Sequence, residues 1–549
     1  MRRRAGRRVR PFRPGISAKC LVFSSFCERG FRSARSSPPT IVRNAGNAGP
    51  WVLAVAIAGS AMVFIDGTAV NVALPTLQRD LRADAASLQW VVEGYSLVLS
   101  AFILIGGALG DRFGRRLMFL LGVALFAVAS VLCALSQNML ELNLARCLQG
   151  FGGAFATPGS LALISAAYPG SGRGKAIGTW SGFSSLTAAI GPLLGGWLTQ
   201  TYSWRWVFLI NVPLALFVIV TALLRVPESR DEHAAKRVDF AGALFATLGL
   251  GLVTYGLIRL QGGNADAGAL LACSAGVAVS ALFVFYESRV ADPMIPLEIF
   301  KNRTFAGANL YTLFLYAAIG GSLFFVPFEL QYVLGYSPLQ AGAALLPFVA
   351  IMFLSSRWSG GLVERVGARL PLIVGALVAA AGLVAYAFSG IGHSYWVTFF
   401  PATVIFGCGA ALFVAPLTTT VMDALATERA GIASGVNNAV SRVAGVLAIA
   451  VFGIVLLGSF YADFDRRASR QTFTPATVSA LRTNRDLLTT LKPPAGTSAG
   501  DERRVSEELR QAYADGFRNA MLLGAVLCVA AAAVAARTIA PNLRPAPSP

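Results

Sequence analysis

Three ionisable side chains, Asp66, Glu93 and Arg146, lie inside stretches otherwise suited to hydrocarbon. A charge in such a place is costly and is kept where it meets a partner or a water-filled cavity. Counting 1.5 Å per residue from the predicted helix ends puts all three roughly 8–10 Å below one membrane surface. Two carboxylates and one guanidinium in a single layer make a charge cluster that can bind and release protons. A guanidinium partner favours the ionised carboxylate and burial favours the neutral one, so conformation can switch between them. For Asp66 an interfacial position or a helix–helix hydrogen bond is the plainer alternative. The two histidines, His233 and His393, fall in predicted loops, so proton chemistry within the membrane is left to carboxylates.

Arg146 begins the run Arg146-Cys-Leu-Gln149-Gly150-Phe-Gly152-Gly153, a polar pair followed by a glycine-dense helical face. Small residues on one face let a second helix approach closely. Gly407 to Pro416 later echoes Gly150 to Pro158, but Val404 stands in the place of Arg146. That asymmetry gives the arginine a role beyond packing. Asn437, Asn438 and Arg442 fall near the middle of another apolar stretch, where they either line the other wall of a cavity or form a structural network. Glu329 and Asp423 lie near helix ends and read as interfacial. Gly182 and then Gly191-Pro192-Leu-Leu-Gly195-Gly196 mark a further helix. Its proline frees a carbonyl and bends the axis, while its glycines permit close contact. Such a bend limits leakage beside a cavity, or is a packing kink only.

No nucleophile–base pair and no metal-ligand spacing appears, so neither a catalytic nor a metal site is expected. The seven cysteines lack disulfide or metal spacing and read as small apolar residues. Gly170 to Ala176 imitates a phosphate loop, but its spacing is one residue short and no strand precedes it. No cofactor is expected, and energy does not come from ATP bound by this chain.

The elements that position these residues are membrane spans. The chain is 55% hydrophobic and 13% charged, about half the charged share of soluble domains. Apolar runs of spanning length occur at roughly 51–73, 89–110, 117–136, 140–165, 175–199 and 205–224. A second series lies at roughly 239–258, 268–286, 305–330, 341–362, 370–389, 396–421, 433–458 and 517–536, about fourteen in all. Between the second and third runs lies a tight basic loop carrying Gly107, Gly110, Asp111, Arg112, Gly114, Arg115 and Arg116. A softer copy carries Glu364 and Gly367, about 253 residues later, so the membrane part consists of two related halves. The offset exceeds the length of six spans by about fifty residues, the size of the pair at 239–286. That pair reads as an insertion. The predicted organisation is a basic, disordered tail (1–50), a six-helix bundle (51–224), the inserted hairpin (239–286), a second six-helix bundle (305–536) with an extracytoplasmic loop (459–516), and a tail (537–549). The fold class is an all-α polytopic membrane protein.

The formal net charge is +19, yet nucleic acid is not the expected partner. More than half of the excess sits in the first fifty residues, which read as a disordered arm, a lipid-binding arm or an over-extended gene start. Lys and Arg in the short connections fall on one side by about seventeen to four. Both termini are therefore expected in the cytoplasm, with the lipid bilayer as surroundings.

Together these motifs resemble the major facilitator superfamily, and within it the fourteen-span drug:proton antiporters. The resemblance runs from about residue 51 to 536. Gly107 to Arg116 is similar to the superfamily's first-loop motif, implying a gating role. Ile65 to Pro75 resembles the first-span signature of the exporters, and Arg146 to Gly150 a fourth-span motif tied to proton handling. Gly191-Pro192 with Gly195-Gly196 is similar to the antiporter motif that importers generally lack. Trp204 to Pro213 adds another exporter hallmark. The resemblance implies a proton-driven exporter of amphipathic, cationic small molecules in a bacterial cytoplasmic (inner) membrane. A periplasmic adaptor is a conceivable partner where the host has an outer membrane. A dedicated metabolite exporter, a proton-coupled importer and a non-transporting sensor or scaffold are the competing expectations. Glu93 and Glu329 depart from the family pattern.

Overall fold

A backbone that crosses hydrocarbon finds no water to bond and must satisfy its own polar groups, which for this pattern means helices. The computed structural model describes residues 45–168, 172–230, 239–260, 266–290, 293, 295, 297–390, 394–425, 430–471, 473–483, 488 and 491–540, and these hold helices and no strand. Two compact units divide the chain, 1–47 and 48–549. All of the first except 45–47 lies outside the described residues, as do His233, His393, Gly170, Ser171 and 541–549.

The helices are α1 (Ala48–Asp80), α2 (Ala85–Phe113), α3 (Arg115–Leu135), α4 (Met139–Ala167), α5 (Gly172–Thr201), α6 (Trp206–Arg225), α7 (Phe240–Arg259) and α8 (Ala267–Glu287). Next, α9 (Arg303–Phe328) runs into a π-helical turn at Glu329–Val333. Helix α10 (Pro338–Ala344) resumes after Leu345 as Leu346–Val366. Last come α11 (Arg369–Ala387), α12 (Phe399–Asp423), α13 (Ala430–Ala468), the short α14 (Pro475–Thr483) and α15 (Glu502–Thr538). Short polar residues start several of them: Asp84 accepts from the Ser87 N–H (2.9 Å), and Asn138 from the Glu141 N–H (3.0 Å). Each satisfies a donor that the first helical turn leaves free.

Twelve helices among the described residues are long and apolar enough to cross a membrane, so the expected fourteen is not confirmed. The difference falls on α4 and α5, which have 29 and 30 residues but carry glycines, prolines and, in α4, buried Arg146 and Gln149. Glu329 departs from expectation too. It is buried within the π-helical turn rather than at an interface.

Helix α4 packs between α2 and α3, α11 between α12 and α15, and α9 against α13 and α15. The pair α7–α8 lies against itself, with α7 also touching α2 and α13. The repeated loop is visible in the backbone: Gly114 and Gly367 both take positive φ, 128° and 75°, just before α3 and α11 begin. The polar connection expected over 459–516 is shorter, because α13 runs on to Ala468 and α15 starts at Glu502. Buried Asp501 fastens it, accepting from the Thr474 N–H (3.0 Å), the Thr477 hydroxyl (2.8 Å) and the Ser498 hydroxyl (2.8 Å). These donors, the Thr474 N–H foremost, hold the Asp501 carboxyl well below the usual carboxylate range.

Candidate functional site

The structure brings Asp66 of α1 and Arg146 of α4 together, with Arg146 Nη1 donating to Asp66 Oδ2 at 2.5 Å; both side chains are buried. Close helix contact makes this possible. A Cβ at Gly150 would strike the Tyr95 carbonyl of α2, and one at Gly152 would meet the Phe126 backbone of α3. With α4 drawn in this far, Arg146 reaches back to donate through Nε to the Val91 carbonyl (2.8 Å). Its Cζ lies 4.3 Å from the centroid of Tyr95 and 5.6 Å from that of Phe208, a cation–π setting strengthened by the lack of water.

Gln149, one turn on from Arg146, accepts from its Nη1 (2.5 Å) and donates to Asp66 Oδ1 (2.9 Å) and the Ser130 hydroxyl (2.8 Å). Asn211 of α6 donates to the same Asp66 oxygen and the same hydroxyl, each at 3.3 Å. Helices α4 and α6 thus converge on one carboxylate of α1, and Ser130 of α3 accepts from the amides of both. Protonating Asp66 would remove the charge that holds Arg146 while leaving the guanidinium buried, so proton binding and side-chain arrangement are tied together.

Glu93 is placed otherwise than expected. It is fully buried, yet neither carboxylate oxygen has a hydrogen-bond partner among the described residues. The predicted three-member cluster is therefore a pair, extended by Gln149, Asn211 and Ser130. Of these, Asn211 and Ser130 were missed. The signal for Asn211 was its amide beside Val-Pro at the start of an apolar run; nothing local distinguishes Ser130.

The glycine motif of α5 faces two ways. Gly191 and Gly195 press on α1, where added Cβ atoms would strike Thr68 and the Ala69 backbone. Pro192 and Gly196 press on α10: a Cβ at Gly342 would strike the Pro192 carbonyl, and one at Gly196 the Pro338 carbonyl. Gly182 lies lower in the same helix. Nearby, Gln331 Nε2 of the π-helical turn donates to the Val72 carbonyl (2.9 Å), and the Tyr332 hydroxyl to Gln78 Oε1 (2.8 Å). Helices from the two sequence halves are thus latched at the end opposite the basic loop.

At the basic end, Asp111 receives Arg115 Nε at 2.7 Å, while Arg112 lies over the Phe113 ring. The acid that caps α3 is Glu228, which the sequence pattern did not single out: it accepts from the Arg116 N–H (2.9 Å) and the Leu117 N–H (3.0 Å). Arg116 Nη1 answers by donating to the Val226 carbonyl (2.8 Å). Gly107 and Gly110 lie on the last turns of α2. Gly114 is required twice over, by its φ of 128° and by the Glu228 carboxyl that a Cβ would overlap. Glu228→Ala is expected to cost about 1–2 kcal/mol through loss of this cap. Thermal unfolding in detergent reads that loss, and an unchanged midpoint would remove Glu228 from the loop's support.

Asn437 of α13 donates to the Thr312 hydroxyl (2.6 Å) and to Asn309 Oδ1 (3.3 Å) of α9. Asn438 is exposed and Arg442 partly so. No carboxylate pairs with Arg442 among the described residues, and Tyr95 is the ionisable group in its range. No group of three or more metal-ligating side chains occurs among the described residues.

The family model "Major Facilitator Superfamily" matches residues 56–449. The tetracenomycin C resistance and export protein of Streptomyces glaucescens is 35% identical over 501 residues, covering 89% of this chain and 91% of that protein. The puromycin resistance protein pur8 of Streptomyces alboniger is 35% identical, covering 74% and 82%. Among solved structures, an inward-facing bacterial homolog of the human lysosomal transporter Spinster superposes with a TM-score of 0.63 at 19% identity, covering 90% of this chain and 97% of that one. A D-xylose–proton symporter gives 0.60 at 15% identity, covering 89% and 98%. These two share the fold.

Proposed function

The chain belongs to the Major Facilitator Superfamily, and from that premise we propose that it is a proton-driven exporter of small amphipathic compounds, cationic ones among them, working by alternating access. It is an integral membrane protein of a transporter family and not of an enzyme family. Its relatives are named for resistance to tetracenomycin C, puromycin and methylenomycin A, which supports efflux of toxic small molecules.

The observation that carries the reading is the buried Asp66–Arg146 pair with Gln149 beside it. An exporter must hold a proton in one conformation and release it in another, and this carboxylate is the group whose protonation rearranges its neighbours. Bundles 51–224 and 305–536 rock about the cavity, with the 239–286 hairpin between them in sequence. The Gly191–Gly196 face and the Gly107–Arg116 loop act as latches at opposite ends. Gln149, Asn437, Asn438 and Arg442 supply polar contacts to substrate, and apolar side chains supply most of the rest. The proton gradient is the energy source, and both termini lie on the cytoplasmic side, as the distribution of Lys and Arg supports.

Everted vesicles carrying the protein, energised with a pH gradient and probed with a fluorescent proton indicator, test this. Puromycin, tetracenomycin C or cationic dyes should collapse the gradient in proportion to dose. A full set of such compounds giving no response would sink the antiport reading.

A further inference from the structure

Glu93 needs an account that the Asp66 cluster does not supply. On α2, Tyr95 faces Arg146 and Gly94 faces Cys147 of α4. At 100° per residue Glu93 lies on the opposite side, away from α4. Leu97, one turn further along that side, meets α7, where a Cβ on Gly251 would lie 3.3 Å from its methyl. Helices α2 and α7 are the second and seventh crossings and so run in opposite senses, and stepping one turn back from Leu97 therefore reaches the level of Thr254. Thr254 stands three residues from Gly251 on the same face of α7, and it too is fully buried with an unpartnered hydroxyl. Gln89 of α2 shares a small cavity with Leu456 and Leu457 of α13, which brings Phe452 and Gly453 level with Glu93.

We propose that Glu93 and Thr254 form a proton-binding site between α2 and the inserted hairpin, separate from the Asp66–Arg146 pair. The proposal rests on the exporter reading for its use in transport, though not for its existence. A carboxylate without donors is the costliest form this enclosure can hold, and the neutral acid is the form it tolerates. The other charged or titratable side chains, cysteines aside, on these elements are Tyr255 and Arg259 of α7, Arg442, Tyr461, Asp463, Asp465, Arg466 and Arg467 of α13, and Tyr95, Asp111 and Arg112 of α2. Arg259 pairs with Asp266, Tyr95 faces Arg146, and none bonds Glu93. One carboxyl and one hydroxyl are too few oxygens to replace the water shell of a metal ion, whereas a proton needs one. The hairpin thereby gains a part in transport, because α7 covers the carboxyl and its separation from α2 admits water to exchange the proton.

The test uses the full-length protein in proteoliposomes with dicyclohexylcarbodiimide, which reacts with protonated carboxyls in apolar surroundings. An adduct on the Glu93 peptide is expected, diminishing as the pH is raised and absent in Glu93→Gln. Thr254→Val should shift the midpoint of labelling while the adduct persists, and Glu93→Gln should flatten the pH response of efflux. Absence of a Glu93 adduct at every pH, in protein that still couples substrate to the gradient, overturns the site and spares the exporter reading. pH-dependent labelling in protein that moves no substrate supports the site and sinks the exporter reading instead. Labelling that responds to sodium rather than pH overturns the assignment to a proton.

Discussion

Asp66→Asn is expected to abolish substrate-driven collapse of a pH gradient while the protein remains inserted in the membrane. The carboxylate accepts Arg146, Gln149 and Asn211 at once. An amide keeps the shape and loses the charge, so Arg146 is left buried without its counter-ion. Removing one partner of such a pair costs about 3–5 kcal/mol, much of it the uncompensated charge. The variant should therefore unfold at a lower temperature in detergent as well as fail to couple. Adding Arg146→Gln separates the two effects. The double variant removes both charges and should recover most of the lost stability, since replacing a whole buried pair is often near neutral. It should recover no coupling, because no titrating group is restored. Coupled efflux by Asp66→Asn, or by the double variant, would take the proton away from this pair.

How much of this site was legible follows from what sequence encodes. Asp66 and Arg146 stood out because ionisable groups in apolar runs are rare, and helical rise gave their common depth. Depth carries no azimuth. Glu93 shares the layer, but it lies two positions before Tyr95, and that turns it about 200° around α2, away from Arg146. Asn211 and Ser130 join from α6 and α3 through packing that no local spacing records. Glu228 was hidden for another reason: it accepts from a helix N–H 112 residues earlier in sequence, so it resembled an ordinary loop acid. The span count is left unconfirmed for an informative reason. Helices α4 and α5 fail a test of apolarity because of the Arg, Gln, Gly and Pro that build the site and the latch. The repeated loop, by contrast, could be read from an acid and a glycine in register, and the glycine has a local reason, the positive φ at Gly114 and Gly367.

Gly342→Val should prevent the end opposite the basic loop from closing and so stop efflux without touching the charge pair. The α5–α10 contact has no room for a side chain: a Cβ on Gly342 would overlap the Pro192 carbonyl, and Gly196 meets Pro338 in the same way from the other helix. Because both surfaces are backbone, no rotamer change can relieve the clash, and the helices must part. Forcing atoms into such a contact costs about 1–3 kcal/mol, enough to shift a two-state equilibrium roughly 5- to 150-fold toward the open form. The readout is Ala341→Cys, buried in this closed form, placed in a background lacking the seven native cysteines. A membrane-impermeant maleimide applied from that side should label it faster when Gly342→Val is present, and Gly342→Ala should fall between. Gly196→Val, acting from the opposite surface, should give the same phenotype, because one contact is lost either way. If labelling stayed slow and efflux persisted in Gly342→Val, the glycine face would be a packing kink and the latch would lie with Gln331 and Tyr332 alone.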